Sequence, residues 1–269
     1  MHSAFIQERN GDLMSLSSFV INMAVPAPKI EIFDRFLFVG PHPDDIEIGA
    51  GATAAKLVNS GKKVCFLICT DGRFGLENAP EGTTPEQLIE IRKQEATDSA
   101  AVLGVTDVRF LGLSDGGAYS LDDLYRGIAN VIGEFRPDVI FAPDPCVKCE
   151  CHADHLNAGE AVRRLSFFAP FQNIMDNYGA KSADVKAAAF YMTASPNRFV
   201  KTKGLKALQL DAILKHKSQF PEGSKAFNEL GSYISIRSAF FGIRTISGGA
   251  EGFRVLGKTQ MHCLPEAAK

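Results

Sequence analysis

The sequence predicts an α/β fold, a mostly parallel sheet with helices on both faces. Three observations predict it. Short apolar runs rich in β-branched and aromatic residues recur along the chain, amphipathic stretches lie between them, and 269 residues with 45% hydrophobic content suffice for one sizeable core. Strands that alternate with helices imply right-handed crossovers and a sheet covered on both sides. Residues 1–30 are set apart as an N-terminal arm, and residues 31–269 as a single domain.

The first strand is "RFLFVG" (35–40), and "PHPDDIEIGAG" follows it directly. The second is "KVCFLICT" (63–70), whose Cys65 and Cys69 read as core residues. A punctuated helix comes next. Thr84 as N-cap, Pro85 at the first position and Gln87 at the third form a capping box, and Gly104 stops the helix. "VRFLGL" (108–113) and "DVIFAP" (138–143) are further strands. "NAGEAVRRLSFFA" reads as a helix capped by Asn157 with Glu160 in support, which leaves His155 at the loop-to-helix junction. "LKALQLDAILKHKSQF" and "YISIRSAFFGIRTI" read as helices, and "EGFRVLG" and "TQMHCL" as late strands or an extended tail. His216, mid-helix among lysines, reads as structural.

Composition excludes several functions. A formal charge of -2 provides no basic excess for phosphate backbones or anionic lipid, so nucleic acid and membrane partners are not expected. No apolar run reaches the roughly 18 residues of a spanning helix. The faintly apolar stretch from Met14 to Ala27 lacks the basic flank of a secretory signal. Six unevenly spaced cysteines do not make a disulfide scaffold, and a reducing cytoplasm is expected.

Two polar clusters fall at strand carboxyl ends, the edge where open α/β sheets bind ligands. In the first, His42, Asp44 and Asp45 set two adjacent carboxylates beside an imidazole, which are costly to bury without a neutralising cation. His42 and Asp45 could ligate a divalent metal and leave Asp44 free. "PHPDD" could instead be a solvated turn, and "IGAGATAA" a dinucleotide glycine loop, though Asp44, Asp45 and Glu47 would repel a pyrophosphate. In the second cluster, His152 and His155 flank Asp154. His42, Asp45 and one of the two later histidines make a three-ligand set, the pattern of catalytic rather than structural zinc. Cys146, Cys149 and Cys151 offer a rival zinc site, but no second CxxC exists to complete it. That rival would make the protein a non-catalytic zinc-binding regulator.

"PHPDDIEIGAGATAAKLVNSGKKVCFLICTDG", "RKQEATDSAAVLGVTDVRFLGLSDG" and "FAPDPCVKCECHADHLNAGEAV" resemble, in order and spacing over about residues 36–165, the LmbE/PIG-L family of zinc-dependent N-acetylglucosaminyl deacetylases. "LKHKSQF" and "AEGFRV" extend the likeness, which is nearest to that family's diacetylchitobiose deacetylase branch. The resemblance implies a Rossmann-like fold, bound Zn2+ and hydrolysis of an N-acetyl group on an amino sugar. It implies His42, Asp45 and His155 as metal ligands, Asp44 as general base, and His152 as the histidine that assists the oxyanion, which it would do as a donor if protonated. Arg92, Asp115 and His262 match substrate-binding positions, His262 through a neighbouring subunit, and a hexamer of paired trimers is implied. Two departures stand out: Ile46 follows the paired aspartates where the family commonly has Glu, and Ala153 replaces the usual Pro.

Bland alternatives accompany two of these assignments. Arg92 could pair with Glu95 on an exposed helix face. Asp154, a candidate to fix a histidine tautomer, could simply cap a loop. The substrate expected is a small N-acetylated sugar or oligosaccharide; a thiol precursor carrying N-acetylglucosamine, or a glycosylated secondary metabolite, is the alternative.

Overall fold

A computed structural model describes residues 20–262, except 22, together with 264. Seven strands form one sheet in the order β3-β2-β1-β4-β5-β7-β6. They are β1 (Arg35–Gly40), β2 (Lys63–Thr70), β3 (Asp107–Leu113), β4 (Val139–Pro143), β5 (Ala187–Tyr191), β6 (Arg198–Lys201) and β7 (Ala250–Gly257). Strands β1 to β5 pair with one another in parallel, and β7 runs antiparallel to both β5 and β6.

Burial explains why the central strands are apolar throughout. Along β1, Phe36 and Phe38 face one side of the sheet while Leu37 and Val39 face the other, the two-residue alternation of a strand covered twice. On the first side they pack with Phe66, Phe141 and Phe253 under α1 (Asp45–Asn59), and the Phe38 and Phe141 rings stack at 4.2 Å. On the second, Leu37, Val39 and Ile140 meet α3 (Leu121–Phe135) and α4 (Ala153–Phe168). The remaining helices are α2 (Pro85–Val102), α5 (Gln172–Met175), α6 (Lys206–Ile213) and α7 (Lys225–Arg244).

The capping box on α2 forms as expected: Thr84 Oγ1 accepts from Gln87 N and Gln87 Oε1 from Thr84 N. Three local expectations are corrected. First, α4 starts at Ala153, with His152 rather than Asn157 as N-cap, because the His152 ring accepts from Asp154 N and so begins the helix five residues earlier. Second, α6 ends at Ile213, so His216 lies in the turn beyond it rather than mid-helix, and it is fully buried. Third, residues 258–262 form a turn rather than a strand.

Most of the expected N-terminal arm, residues 1–19 and 22, lies outside the described residues. Its later part is built into the fold. Ala27 O accepts from the Arg198 guanidinium, Val25 O accepts from Gln260 Nε2 at 2.8 Å, and Ile30 is buried.

Candidate metal centre

β1 lies between β2 and β4, and the chain leaves these central strands in opposite directions across the sheet. This is the switch point at which the loops after β1 and β4 part and open a crevice. The first loop is pinned on two sides: Pro41 O accepts from Thr70 N and Oγ1, each at 2.8 Å, and Tyr191 Oη donates to Val39 O at 2.8 Å. His42 N then donates to Asp45 Oδ2 at 2.8 Å, which turns the chain into α1. Asp44, the residue between loop and helix, has φ 122°. An aspartate in that region is strained by about 1–3 kcal/mol and persists only where its surroundings impose it.

Two imidazoles and a carboxylate converge here. His42 Nδ1 is 3.1 Å from Asp45 Oδ2, and His155 Nε2 is 3.3 Å from Asp45 Oδ1. One donor atom from each of His42, Asp45 and His155 lies within 4.8 Å of the others. His42, His152 and Asp154 form a second group of this kind, sharing His42, and the metal-competent groups among the described residues contain no cysteine. The donor set suits a divalent metal bound by three protein ligands with a position left open.

The electrostatics suit a bound cation. Burial would push the Asp45 carboxyl up, but His155 and His42 outweigh it and hold it well below the usual carboxylate range. Burial opposes charge on His42, yet its hydrogen bonds to Asp154 and Asp45 raise it to about 10. His155, half-buried like His42, is raised by Asp45 against the effect of that burial. The cluster therefore gathers protons that a metal would displace on binding.

Asp44 stands beside these groups without joining them. Its Oδ2 accepts from Arg92 Nη2 at 3.1 Å, and the same guanidinium donates to Pro43 O and Gly72 O. Burial dominates over the pull of Arg92 and lifts the Asp44 carboxyl to about 6. Arg92 is 4% exposed, so it is no surface partner of Glu95, which instead accepts from Ser218 N and Oγ. Behind Asp44, Glu47 Oε1 and His216 Nε2 form a buried ion pair at 3.6 Å. Glu47 is what raises the His216 imidazole against its burial.

Asp154 belongs to His42 more than to His152. Its Oδ2 is 2.9 Å from His42 Nε2 but 3.8 Å from His152 Nδ1, and its two oxygens accept from Gly116 N and Gly117 N at 2.8 Å. Both glycines have φ above 70°, the left-handed turn that aims successive amides at one carboxylate. Burial acts against it, but these bonds hold the Asp154 carboxyl down at about 2. The 2.9 Å contact fixes which His42 nitrogen is turned away from Asp45.

His152 Nδ1 accepts from Asp154 N at 3.3 Å, and its burial and the neighbouring His42 and His155 push its pKa down. A protonated His152 is therefore not what this environment favours. The neutral ring carries its proton on Nε2 and still offers an N–H donor.

Asp115 is buried and accepts from Phe74 N, which ties the loop after β3 to the loop after β2. His262 stacks on Phe167 at 5.4 Å, near the end of α4. Phe167 is twelve residues beyond His155, about 18 Å along the helix, so the structure does not bring His262 to the cluster within one chain. Glu150 was not singled out in the sequence. Its Oε1 accepts from His152 N at 2.8 Å and its Oε2 is 3.1 Å from His155 Nδ1. It sits between Cys149 and Cys151, in a stretch whose local pattern points to thiolate ligands and gives a carboxylate no distinct signal.

A family model described as PIG-L, GlcNAc-PI de-N-acetylase, matches residues 37–166. The chain is 31% identical over 236 residues to a diacetylchitobiose deacetylase of Thermococcus kodakarensis, covering 87% of each chain. It is 33% identical over 186 residues to a 1D-myo-inositol 2-acetamido-2-deoxy-alpha-D-glucopyranoside deacetylase of Thermomonospora curvata, covering 60% of each. Among solved structures, the N,N'-diacetylchitobiose deacetylase of Pyrococcus horikoshii, complexed with its inhibitor MPG, matches with a TM-score of 0.78 at 29% identity over 87% of each chain.

Proposed function

Because the chain belongs to the PIG-L de-N-acetylase family, we propose that it is a metal-dependent hydrolase that removes the N-acetyl group from an N-acetylglucosamine-type sugar or oligosaccharide, releasing acetate and a free amine. The observation that carries this reading is the convergence of His42, Asp45 and His155 at the switch point, with Asp44 held beside them by Arg92. Zn2+ suits the donor set, as do other divalent metals.

The ion, when bound, supplies Lewis acidity toward the acyl oxygen and makes water a stronger nucleophile. Asp44 accepts a proton from the attacking water and returns it to the amine as the C–N bond breaks. Arg92, anchored on two backbone carbonyls, holds the Asp44 carboxylate in place. The His152 N–H donates to the oxygen that gains charge, a contribution of about 10²–10³-fold for one such donor. Glu150 and Asp154 orient the His155 and His42 rings.

The test is an amine-release assay on a panel of N-acetylated sugars: diacetylchitobiose, N-acetylglucosamine and an N-acetylglucosaminyl glycoside. Release from at least one, abolished by chelator and restored by zinc, is expected. Undiminished release after complete metal removal would sink the reading.

The chain also self-associates in this reading. Tyr233, Ile236, Phe240 and Ile243 on α7 are 49%, 70%, 58% and 78% exposed and recur every three or four residues, forming one apolar stripe. The hexamer implied by the resemblance, in which His262 would serve a neighbouring subunit, is the assembly to look for. Among the described residues no helix is long and apolar enough to cross a membrane, and the free, exposed Cys146, Cys149 and Cys151 support a reducing cytoplasm.

A further inference from the structure

The cysteine-rich loop before α4 takes no part in the metal centre, yet it is wired to it. Two consecutive turns, Val147 N to Asp144 O at 3.4 Å and Glu150 N to Val147 O at 3.1 Å, carry the chain from β4 to Glu150. Glu150 spans the last gap, with one oxygen on His152 N and the other on His155 Nδ1. Cys146, Cys149 and Cys151 are free and exposed on this short segment. Cys146 also lines a cavity of about 260 Å³, together with Arg163, Arg164, Phe167, Arg254 and Met261. Arg163 and Arg164 share one carboxylate, Glu160, so the pair keeps a net positive charge, and Lys148 adds another beside the thiols.

We propose that this loop is a thiol modification site for anionic low-molecular-weight disulfides of the glutathione class, and that its oxidation loosens the metal centre through Glu150. The cavity attracts the carboxylates of the incoming disulfide, and Cys146 is the thiol that faces it. The Cys146 thiolate attacks one sulfur of glutathione disulfide. The S–S bond breaks, a mixed disulfide forms, and one glutathione leaves with the proton Cys146 has lost. The Cys149 thiolate then attacks Cys146 Sγ and expels the second glutathione, which takes the proton from Cys149. Two cysteine thiols are oxidised and one glutathione disulfide is reduced. The new ring encloses Val147 and Lys148, the turn whose hydrogen bond to Glu150 N sets the position of that side chain. A disulfide holds its Cα atoms about 4.4–6.8 Å apart with a fixed dihedral preference, and locking the turn into that geometry shifts Glu150, the residue after Cys149, off His155 Nδ1. Loss of such an orienting carboxylate typically weakens metal binding about 10–100-fold.

The inference rests on the ligand set proposed above, and the experiment separates the two. Reduced protein is treated with glutathione disulfide or, in parallel, with cationic cystamine. Thiol count, the mass of the peptide spanning residues 146–151, and zinc affinity by competition with a chelating dye are then read. Two thiols should be lost with a bond mapped to Cys146 and Cys149, zinc should bind about tenfold or more weakly, and dithiothreitol should restore it. Glutathione disulfide should react faster than cystamine, and Arg163→Ser/Arg164→Ser should erase that preference. Cys149→Ser should bind zinc normally and stop at the mixed disulfide. Unchanged zinc affinity in the fully oxidised protein, a bond mapped elsewhere, or equal rates for the two probes overturns the inference and leaves the ligand set standing. A reduced protein that binds no zinc overturns both.

Discussion

Asp44 shows how a single residue can be strained for a purpose. Its φ of 122° belongs to a region where an L-residue is unfavourable, and its carboxylate lies next to Asp45 and near Glu47. What holds it there is Arg92, whose guanidinium bonds Asp44 Oδ2, Pro43 O and Gly72 O together. In Asp44→Asn the shape survives and the proton acceptor does not. That variant should bind zinc as well as the parent while turnover falls about 10²–10⁴-fold, the usual contribution of a positioned base. Metal content and amine release measured on the same sample check this, and wild-type turnover would remove Asp44 from the mechanism. The residue types of the centre were legible because His-x-x-Asp and His-x-x-His are short local patterns. Glu150 and His216 were not, since each acquires its role from a partner that the fold supplies: His155 for one, Glu47 for the other.

Helix α1 is the element on which the centre hangs, and its glycines turn out to serve packing. A Cβ on Gly49 would lie 2.2 Å from the Tyr191 ring, and one on Gly51 would lie 3.1 Å from Gln209 Cγ. The "GAG" run therefore lets β5 and α6 approach the helix closely; it does not cradle a phosphate. Side chains from outside the helix also bond its backbone. Gln209 Nε2 donates to Glu47 O at 2.8 Å, and Glu251 on β7 accepts from Ala52 N and Thr53 N at 3.3 and 2.7 Å. Burial raises the Glu251 carboxyl from 4.5 to about 7, against the pull of these donors. Between those values the folded chain holds a proton that the unfolded chain has released. Stability should then fall as pH rises from about 4.5 to about 7 and level off above. Glu251→Gln lacks that proton, so its melting temperature relative to the parent should climb between pH 5 and pH 8. Parallel melting curves across the series would rule Glu251 out as the source. At this same scale the α2 cap was readable because Thr-Pro-x-Gln is self-contained. The start of α4 was not, because its cap is the His152 ring accepting from Asp154 N, an unusual cap residue, and the Asp154 carboxylate is held by Gly116 and Gly117, distant in sequence.

At the scale of the whole molecule, α7 carries an apolar stripe, Tyr233, Ile236, Phe240 and Ile243, that the described residues leave exposed. Replacing Ile236 and Ile243, both on that stripe, by lysine should shift the protein to a smaller species in light scattering while its far-ultraviolet spectrum stays unchanged. An unaltered mass would count against α7 as a self-association surface. The alternation of strands and helices, the parallel sheet and the identity of the family were all determined by the sequence alone, because two-residue and 3.6-residue periodicities and contiguous motifs are local properties of the chain. The tertiary structure alone decided which histidine Asp154 orients, that Arg92 is buried against Asp44, that Glu47 and His216 form a pair, and that Glu150 links the cysteine loop to His155. Each of these joins groups on different elements or across a turn. Their distances follow from strand order and crossover geometry, which no local pattern encodes.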